Sequence, residues 1–276
     1  MSDAQRTAIV TGAAGGIGRA FVRGLLGAGI RVAAVDRTAD GLAALAGEHR
    51  NAALHTIAAD LGRDDGVAAA LAEARRQLGH IDILVNNAGI GQATLRAENW
   101  QRPLRFWEVT ADDWRRFVAV HTTAPLLLAQ ALAPEMAAAG WGRIVNVTTS
   151  LGTMIRSGSP TYGPSKAALE AMSAIMAKDL SGSGVTVNVL VPGGVTNTAM
   201  VPHEAGFDRR QMIQPEIMAP PLVWLVSEAA GGVTGQRFLA VHWDPALPPA
   251  DAAAKAGAAI ACSGVATMPI EPPRSG

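Results

Sequence analysis

Short apolar runs alternate with stretches of helical periodicity along most of the chain. The runs at 6–11 (RTAIVT), 30–35 (IRVAAV), 54–59 (LHTIAA), 81–86 (IDILVN), 143–148 (RIVNVT), 185–191 (VTVNVLV) and 237–241 (RFLAV) are mostly near-continuous in apolar residues. Parallel strands covered on both faces read this way. Between them, 17–28, 39–48, 64–78, 111–139, 161–181 and 215–228 carry helical patterns. A helix after each strand implies right-handed crossovers, and so an α/β fold with a doubly wound parallel sheet of about seven strands and helices on both faces.

Two segments break the rhythm. Residues 90–109 form a long connection holding two tryptophans, and long connections in compact domains tend to carry function. Residues 245–276 are rich in Pro and Ala; Asp251 to Ile260 can form a short helix, and the final Pro-Ile-Glu-Pro-Pro-Arg-Ser-Gly is expected to fray. The reading is therefore one domain over 1–244 followed by a tail, with no repeat of fixed period. Apolar residues at 49% against 17% charged exclude disorder as the main state. Basic and acidic residues balance at 23 each with no basic stripe, so nucleic acid is not an expected partner. The single cysteine, Cys262, excludes a disulfide framework and a cysteine zinc site, and six scattered histidines without an HExxH pattern predict no metal. No uninterrupted apolar run reaches membrane-spanning length, and the first residues show no signal-type apolar region. The expectation is a cytoplasmic protein without a membrane partner.

The first strand runs into Thr11-Gly12-Ala13-Ala14-Gly15-Gly16-Ile17-Gly18. Glycines between a strand and a helix give the tight turn, the close backbone approach and the free helix N-terminus that a dinucleotide pyrophosphate requires. The context marks a Rossmann-type site, with Gly12, Gly15, Gly16, Ile17 and Gly18 at the phosphates. Asp36, ending the second strand, can accept both adenosine ribose hydroxyls and repels a 2′-phosphate. Arg37 beside it could accommodate that phosphate, so NAD is favoured over NADP without excluding it. Asp60-Leu61, ending the third strand, can reach the adenine or else cap the next helix.

Further motifs follow in order: Asn86-Asn87-Ala88-Gly89 after the fourth strand, Tyr162-Gly163-Pro164-Ser165-Lys166, and Pro192-Gly193 after the sixth. Tyr162 is the chain's only tyrosine, and Lys166, a scarce lysine, falls one helical turn later on the same face. Over roughly residues 5–241 the chain resembles the compact single-domain branch of the short-chain dehydrogenases/reductases. The resemblance implies an oxidoreductase passing hydride between a nicotinamide cofactor and a secondary alcohol or ketone. Tyr162 would be the general acid/base, and Lys166 would lower the phenol's pKa and hold the nicotinamide ribose. Asn87, Ala88, Gly89, Pro192, Gly193 and Val195 would line the cofactor, and the family's dimers or tetramers imply a homo-oligomer.

The chain departs from that pattern at three places. The serine expected 13 residues before the tyrosine is Thr149, with Ser150 next to it; threonine has the same hydrogen-bonding capacity with a stiffer χ1. The asparagine expected mid-way along the fourth helix is His121, which can either relay protons or pack as a core histidine. The threonine expected at 197 is Asn197, which shifts the cofactor contact to Thr198. Ser150, Leu151, Met154, Met200 and Phe207, with Trp100, Phe106 and Trp107 from the long connection, are the candidate substrate walls. Arg96, Arg102 and Arg105 could instead meet a substrate carboxylate, and the connection could equally pack on a neighbouring subunit or the tail. Two alternatives stay open: a nucleotide-binding protein with weak or lost catalysis, and a reductase of C=N or C=C bonds.

Overall fold

The computed structural model describes residues 5–50 and 53–262. The extreme C-terminal segment expected to fray lies outside them.

The chain builds β1 (Thr7–Thr11), α1 (Gly16–Gly27), β2 (Arg31–Asp36), α2 (Ala39–Glu48), β3 (Leu54–Ala58), α3 (Asp64–Leu78) and β4 (Ile83–Asn86). After the long connection come α4 (Ala111–Val118), a π-helical turn (Ala119–Thr123) and α5 (Ala124–Ala138), which run as one helix. Then follow β5 (Gly142–Val147), α6 (Leu151–Met154), α7 (Tyr162–Asp179), β6 (Val185–Val191), α8 (Ala219–Leu225), β7 (Gln236–Leu239), α9 (Pro249–Ala256) and β8 (Gly257–Ala259). The sheet order is β3-β2-β1-β4-β5-β6-β7-β8, parallel except for β8, which is antiparallel to β7. The order reverses between β1 and β4, and that crevice at the carboxyl ends of the strands is where open α/β sheets bind ligands.

Eight strands stand where about seven were expected. The helix expected over Asp251 to Ile260 ends at Ala256, and the next three residues pair with Gln236–Phe238 as β8. Gly-Ala-Ala carries no apolar alternation to announce a strand; β7's open edge supplies the pairing.

Each sheet face carries its own core. Phe21, Leu25, Leu222 and Phe238 pack on one face, and Leu71, Leu128, Leu132 and Met136 on the other. Burying side chains of this size is worth about 1.5–3 kcal/mol each. The stretch Ala111–Ala138 is long and apolar enough by composition to cross a membrane, but half of its most apolar window is buried in the second core, which accounts for its composition. The π-helical turn has a local cause. Pro125 has no N–H to offer the His121 carbonyl four residues back, so the helix widens there.

Candidate active site

A single cleft, with a cavity volume of about 580 Å3, runs along the carboxyl ends of β1, β4, β5 and β6. Its first end is built by the glycine turn. Gly12 sits at φ +65°, and a Cβ there would lie 2.8 Å from the Ala88 Cα. A Cβ on Gly18 would strike the Gly12 carbonyl, so α1 packs hard against the turn. Gly15 caps α1 without any side-chain hydrogen bond, and the first turn holds no acidic residue. Those N–H groups, at the positive end of the helix dipole, fit an anionic pyrophosphate. Asn87 fastens this turn to β4: its amide nitrogen donates to the carbonyls of Thr11 (2.9 Å) and Gly12 (3.1 Å). The N–H groups of Asn87 and Ala88 both donate to the Thr11 hydroxyl.

Asp36 lines the cleft beside Arg37 and Thr38. Its carboxylate accepts from the Ala14 N–H at 3.1 Å and from the Thr38 N–H and hydroxyl at 3.0 and 2.7 Å. These bonds aim the carboxylate and leave lone pairs for ribose hydroxyls. Asp60 and Leu61 do not line the cleft. The Asp60 carboxylate accepts from the Gly62 N–H at 2.9 Å, and Leu61 is buried in the second core. Ala88 packs behind the glycine turn instead of facing the cavity.

Thr149, Tyr162 and Lys166 line the middle of the same cleft. Burial holds the Tyr162 phenol above its usual value of 10; the Thr149 hydroxyl and, less strongly, the Arg156 charge pull the other way. Lys166 Nζ is buried and donates to the Val147 carbonyl at 2.8 Å. Loss of solvent alone lowers its pKa from 10.5 to about 7.

His121 is buried beneath Tyr162, their rings edge to face at 5.3 Å. Its Nε2 accepts from the Ile90 N–H at 3.0 Å, and Nδ1 lies 2.9 Å from the Ser165 hydroxyl. Nε2 as acceptor puts the proton on Nδ1, which donates to Ser165; Ser165 in turn donates to the Tyr162 carbonyl at 2.9 Å. Burial, and then the nearby Lys166 charge, push the imidazole well below 6.5, so it stays neutral. With both nitrogens engaged, the contacts match a bracket between the Ile90 backbone and α7, not the proton relay that the sequence left open.

On the β6 side, Pro192, Gly193, Val195, Thr196 and Thr198 line the cleft. Gly193 has φ +102°, and any Cβ would strike Val241. The Val195 carbonyl already accepts from the Ile213 N–H at 3.1 Å. Asn197 turns out of the cleft to Gln214 and Arg209, leaving Thr198 as the threonine packed over Gly16.

The substrate end differs from expectation. Ser150 and Met200 line it, but Leu151 and Met154 do not; Met154 is buried behind the loop. Trp107 is 70% exposed, stacks edge-on with the equally exposed Phe106, and lies outside the cleft. Trp100 is the tryptophan that lines it, with Phe207 edge-on at 4.9 Å behind. Lining residues that went unread in the sequence include Gln92, Thr94, Asn99, Thr153, Arg156 and Ser159. They sit in loops or in single short turns, where no periodicity signals direction. Beneath the cleft lies a buried ion pair, also unread. Glu170 accepts from Arg237 Nε at 3.0 Å, from the Thr148 hydroxyl at 2.7 Å and from the Ala261 N–H at 3.2 Å. Arg237 also donates to the Thr149 carbonyl at 3.0 Å. Part of the signal was available: Arg237 is the one charge on the short strand β7, and such charges are seldom buried unpaired.

Fold and cleft together define a dinucleotide-binding oxidoreductase. The comparisons agree: the family described as short chain dehydrogenase matches residues 6–206. The chain belongs to the short-chain dehydrogenase/reductase family. It is 34% identical to the cis-4-hydroxycyclohexanecarboxylate dehydrogenase of Sinomonas cyclohexanicum, over 84% of this chain and 93% of that protein. Among solved structures it is similar to a 3-ketoacyl-(acyl-carrier-protein) reductase from Brucella melitensis complexed with NADH. That match has a TM-score of 0.73 and 28% identity, covering 85% of this chain and 95% of the other. A Beutenbergia cavernae protein described as an NAD(P) dependent gluconate 5-dehydrogenase, with bound NADP, gives a TM-score of 0.75 at 33% identity over 87% and 96%.

Proposed function

We propose that the protein interconverts a secondary alcohol and its ketone, with NAD as the favoured cofactor. The observation that carries the reading is the convergence of Thr149, Tyr162 and Lys166 on one cleft whose other end is a glycine-lined helix N-terminus. The nicotinamide, when bound, supplies or accepts the hydride. Tyr162 exchanges the proton with the substrate oxygen, and the Thr149 hydroxyl orients that oxygen. A phenol held high by burial needs a cation to ionise; Lys166, protonated, is the candidate for that and for holding the ribose. The Asp36 carboxylate favours NAD by repelling a 2′-phosphate, while Arg37 beside it keeps NADP as the competing cofactor. His121 acts as a positioning residue, fixing the start of α7 and so the Tyr162 side chain. The sound contacts of Thr149 and His121 weigh against a nucleotide-binding protein that has lost catalysis.

The name of the Sinomonas relative supports starting a substrate screen with small cyclic hydroxy acids. We further infer self-association as a dimer or tetramer, supported by the exposed Trp114, Leu126 and Ile175 on α4, α5 and α7. A single cysteine is consistent with the cytoplasm.

The test is a panel of secondary alcohols and ketones with NAD(H) and NADP(H), run beside Tyr162→Phe. The expected outcome is turnover that Tyr162→Phe lowers by about 10²–10⁴-fold with nucleotide binding retained. Turnover untouched by the substitution overturns the mechanism, and a preference for NADP overturns the reading of Asp36.

A further inference from the structure

We infer that the substrate carries a carboxylate and that Arg156 is the group that binds it. The inference rests on the cleft being the site of alcohol/ketone chemistry and names the substrate class for it.

Arg156 lies in the loop between α6 and α7 and lines the cleft. Among the described residues its guanidinium has no acidic partner; it lies over the Trp100 ring at 5.0 Å from the centroid. Stacking on an indole restrains the guanidinium plane while its edge N–H groups stay available for a bidentate anion. The charge is near enough to Tyr162 to favour the ionised phenol, and both residues line the one cleft.

Two other arginines of this region already have acidic partners. Arg96 pairs with Glu108 at 2.8 Å and Arg102 with Glu98 at 2.9 Å. Neither they nor Arg105 lines the cleft, which corrects the expectation that those three would meet a carboxylate. Among the described residues the only acidic side chain lining the cleft is Asp36, at the opposite end. Arg156 is exposed at the cleft and unpaired among the described residues, so its guanidinium is open to an incoming anion.

Two further donors support this. Gln92 is 6% exposed and its amide nitrogen has no partner; Ser159 is 3% exposed and its hydroxyl has none. Both residues line the same cleft. Buried donors without partners are uncommon, and a ligand with acceptor oxygens would satisfy them. One guanidinium with neutral donors suits a monoanionic carboxylate better than a dianionic phosphate. Ile90, Trp100 and Met200 supply apolar wall around it, so the body between the carboxylate and the reacting carbon is apolar.

The test uses the full chain in the presence of saturating NADH. Calorimetric titration with cyclohexanecarboxylate and with neutral cyclohexanecarboxamide should give at least about tenfold tighter binding of the acid. Arg156→Gln should bring the acid to the level of the amide, and Arg156→Lys should recover part of the difference. In turnover, the ratio of kcat/KM for 4-hydroxycyclohexanecarboxylate over its carboxamide should collapse in Arg156→Gln, with the loss falling on KM. Equal binding of acid and amide by the unmodified protein, no binding of the acid, or acid binding unchanged in Arg156→Gln overturns the inference. Turnover of neutral alcohols as efficient as of acids overturns it while leaving the alcohol/ketone reading intact. Arg156-dependent acid binding without turnover of any panel member does the reverse.

Discussion

His121 shows how far one side chain's chemistry depends on its surroundings. Free histidine titrates near neutrality, but here both ring nitrogens are committed and burial keeps the ring neutral. The sign of the consequence follows. Below about pH 6.5 the unfolded chain binds a proton at this position that the folded chain refuses. The stability is therefore complete above that pH and is lost as pH falls below it, by about 1.4 kcal/mol per pH unit from this residue. His55 is shifted in the same direction, mainly by burial, so the protein's total decline is steeper. His121→Asn keeps a donor and an acceptor and removes the titration. Denaturant unfolding between pH 5 and 7 should show a shallower decline in the variant. Identical slopes would count against the neutral bracket.

At the scale of elements, the Glu170–Arg237 pair joins α7, β7, the end of β5 and the segment after β8. Glu170 lies one turn beyond Lys166 on α7, and Arg237 holds the Thr149 carbonyl, so the ion pair ties the helix that carries Lys166 to the segment that carries Thr149. Its worth is not read from its distance, because taking two charges out of water costs most of what their attraction returns. Removing one partner is another matter. Arg237→Met leaves the Glu170 carboxylate buried with only two neutral donors and should cost about 3–5 kcal/mol of stability. Replacing both with methionine should recover much of that loss. A double-mutant cycle in denaturant checks this, and additive losses would show that the two charges are not coupled.

The whole molecule depends on a chain end that reads as a tail. Residues 245–262 include α9, whose Ala253 and Ala256 enter the first core, and β8, which covers the edge of β7. The Ala261 N–H then reaches Glu170, with Ala261 itself at φ 54°, a conformation that non-glycine residues adopt only when surroundings impose it. Ending the chain after Leu247 should lower Tm by about 10 °C, since 1 kcal/mol corresponds to about 2–4 °C at this size. Scanning calorimetry of the shortened chain checks this; an unchanged Tm would mean the end contributes nothing to the fold.

The sheet's parallel strands, the glycine turn and the Tyr162–Lys166 spacing were legible because each is local. A strand buried on both faces must be apolar along its length. A pyrophosphate cradle needs glycines at fixed offsets, and one helical turn sets the spacing of a side-chain pair. The substrate end of the cleft was not legible. Arg156 meets Trp100 across 56 residues, Glu170 meets Arg237 across 67, and of the two tryptophans offered as walls only Trp100 lines the cleft. The sequence by itself determined which residues could do chemistry, because that depends on residue type and local geometry. Only the tertiary structure decided which arginine lines the cleft unpaired, that both His121 nitrogens are committed, and where residues 245–262 dock. Those depend on which distant groups the packed fold brings within hydrogen-bond reach and which it seals from water.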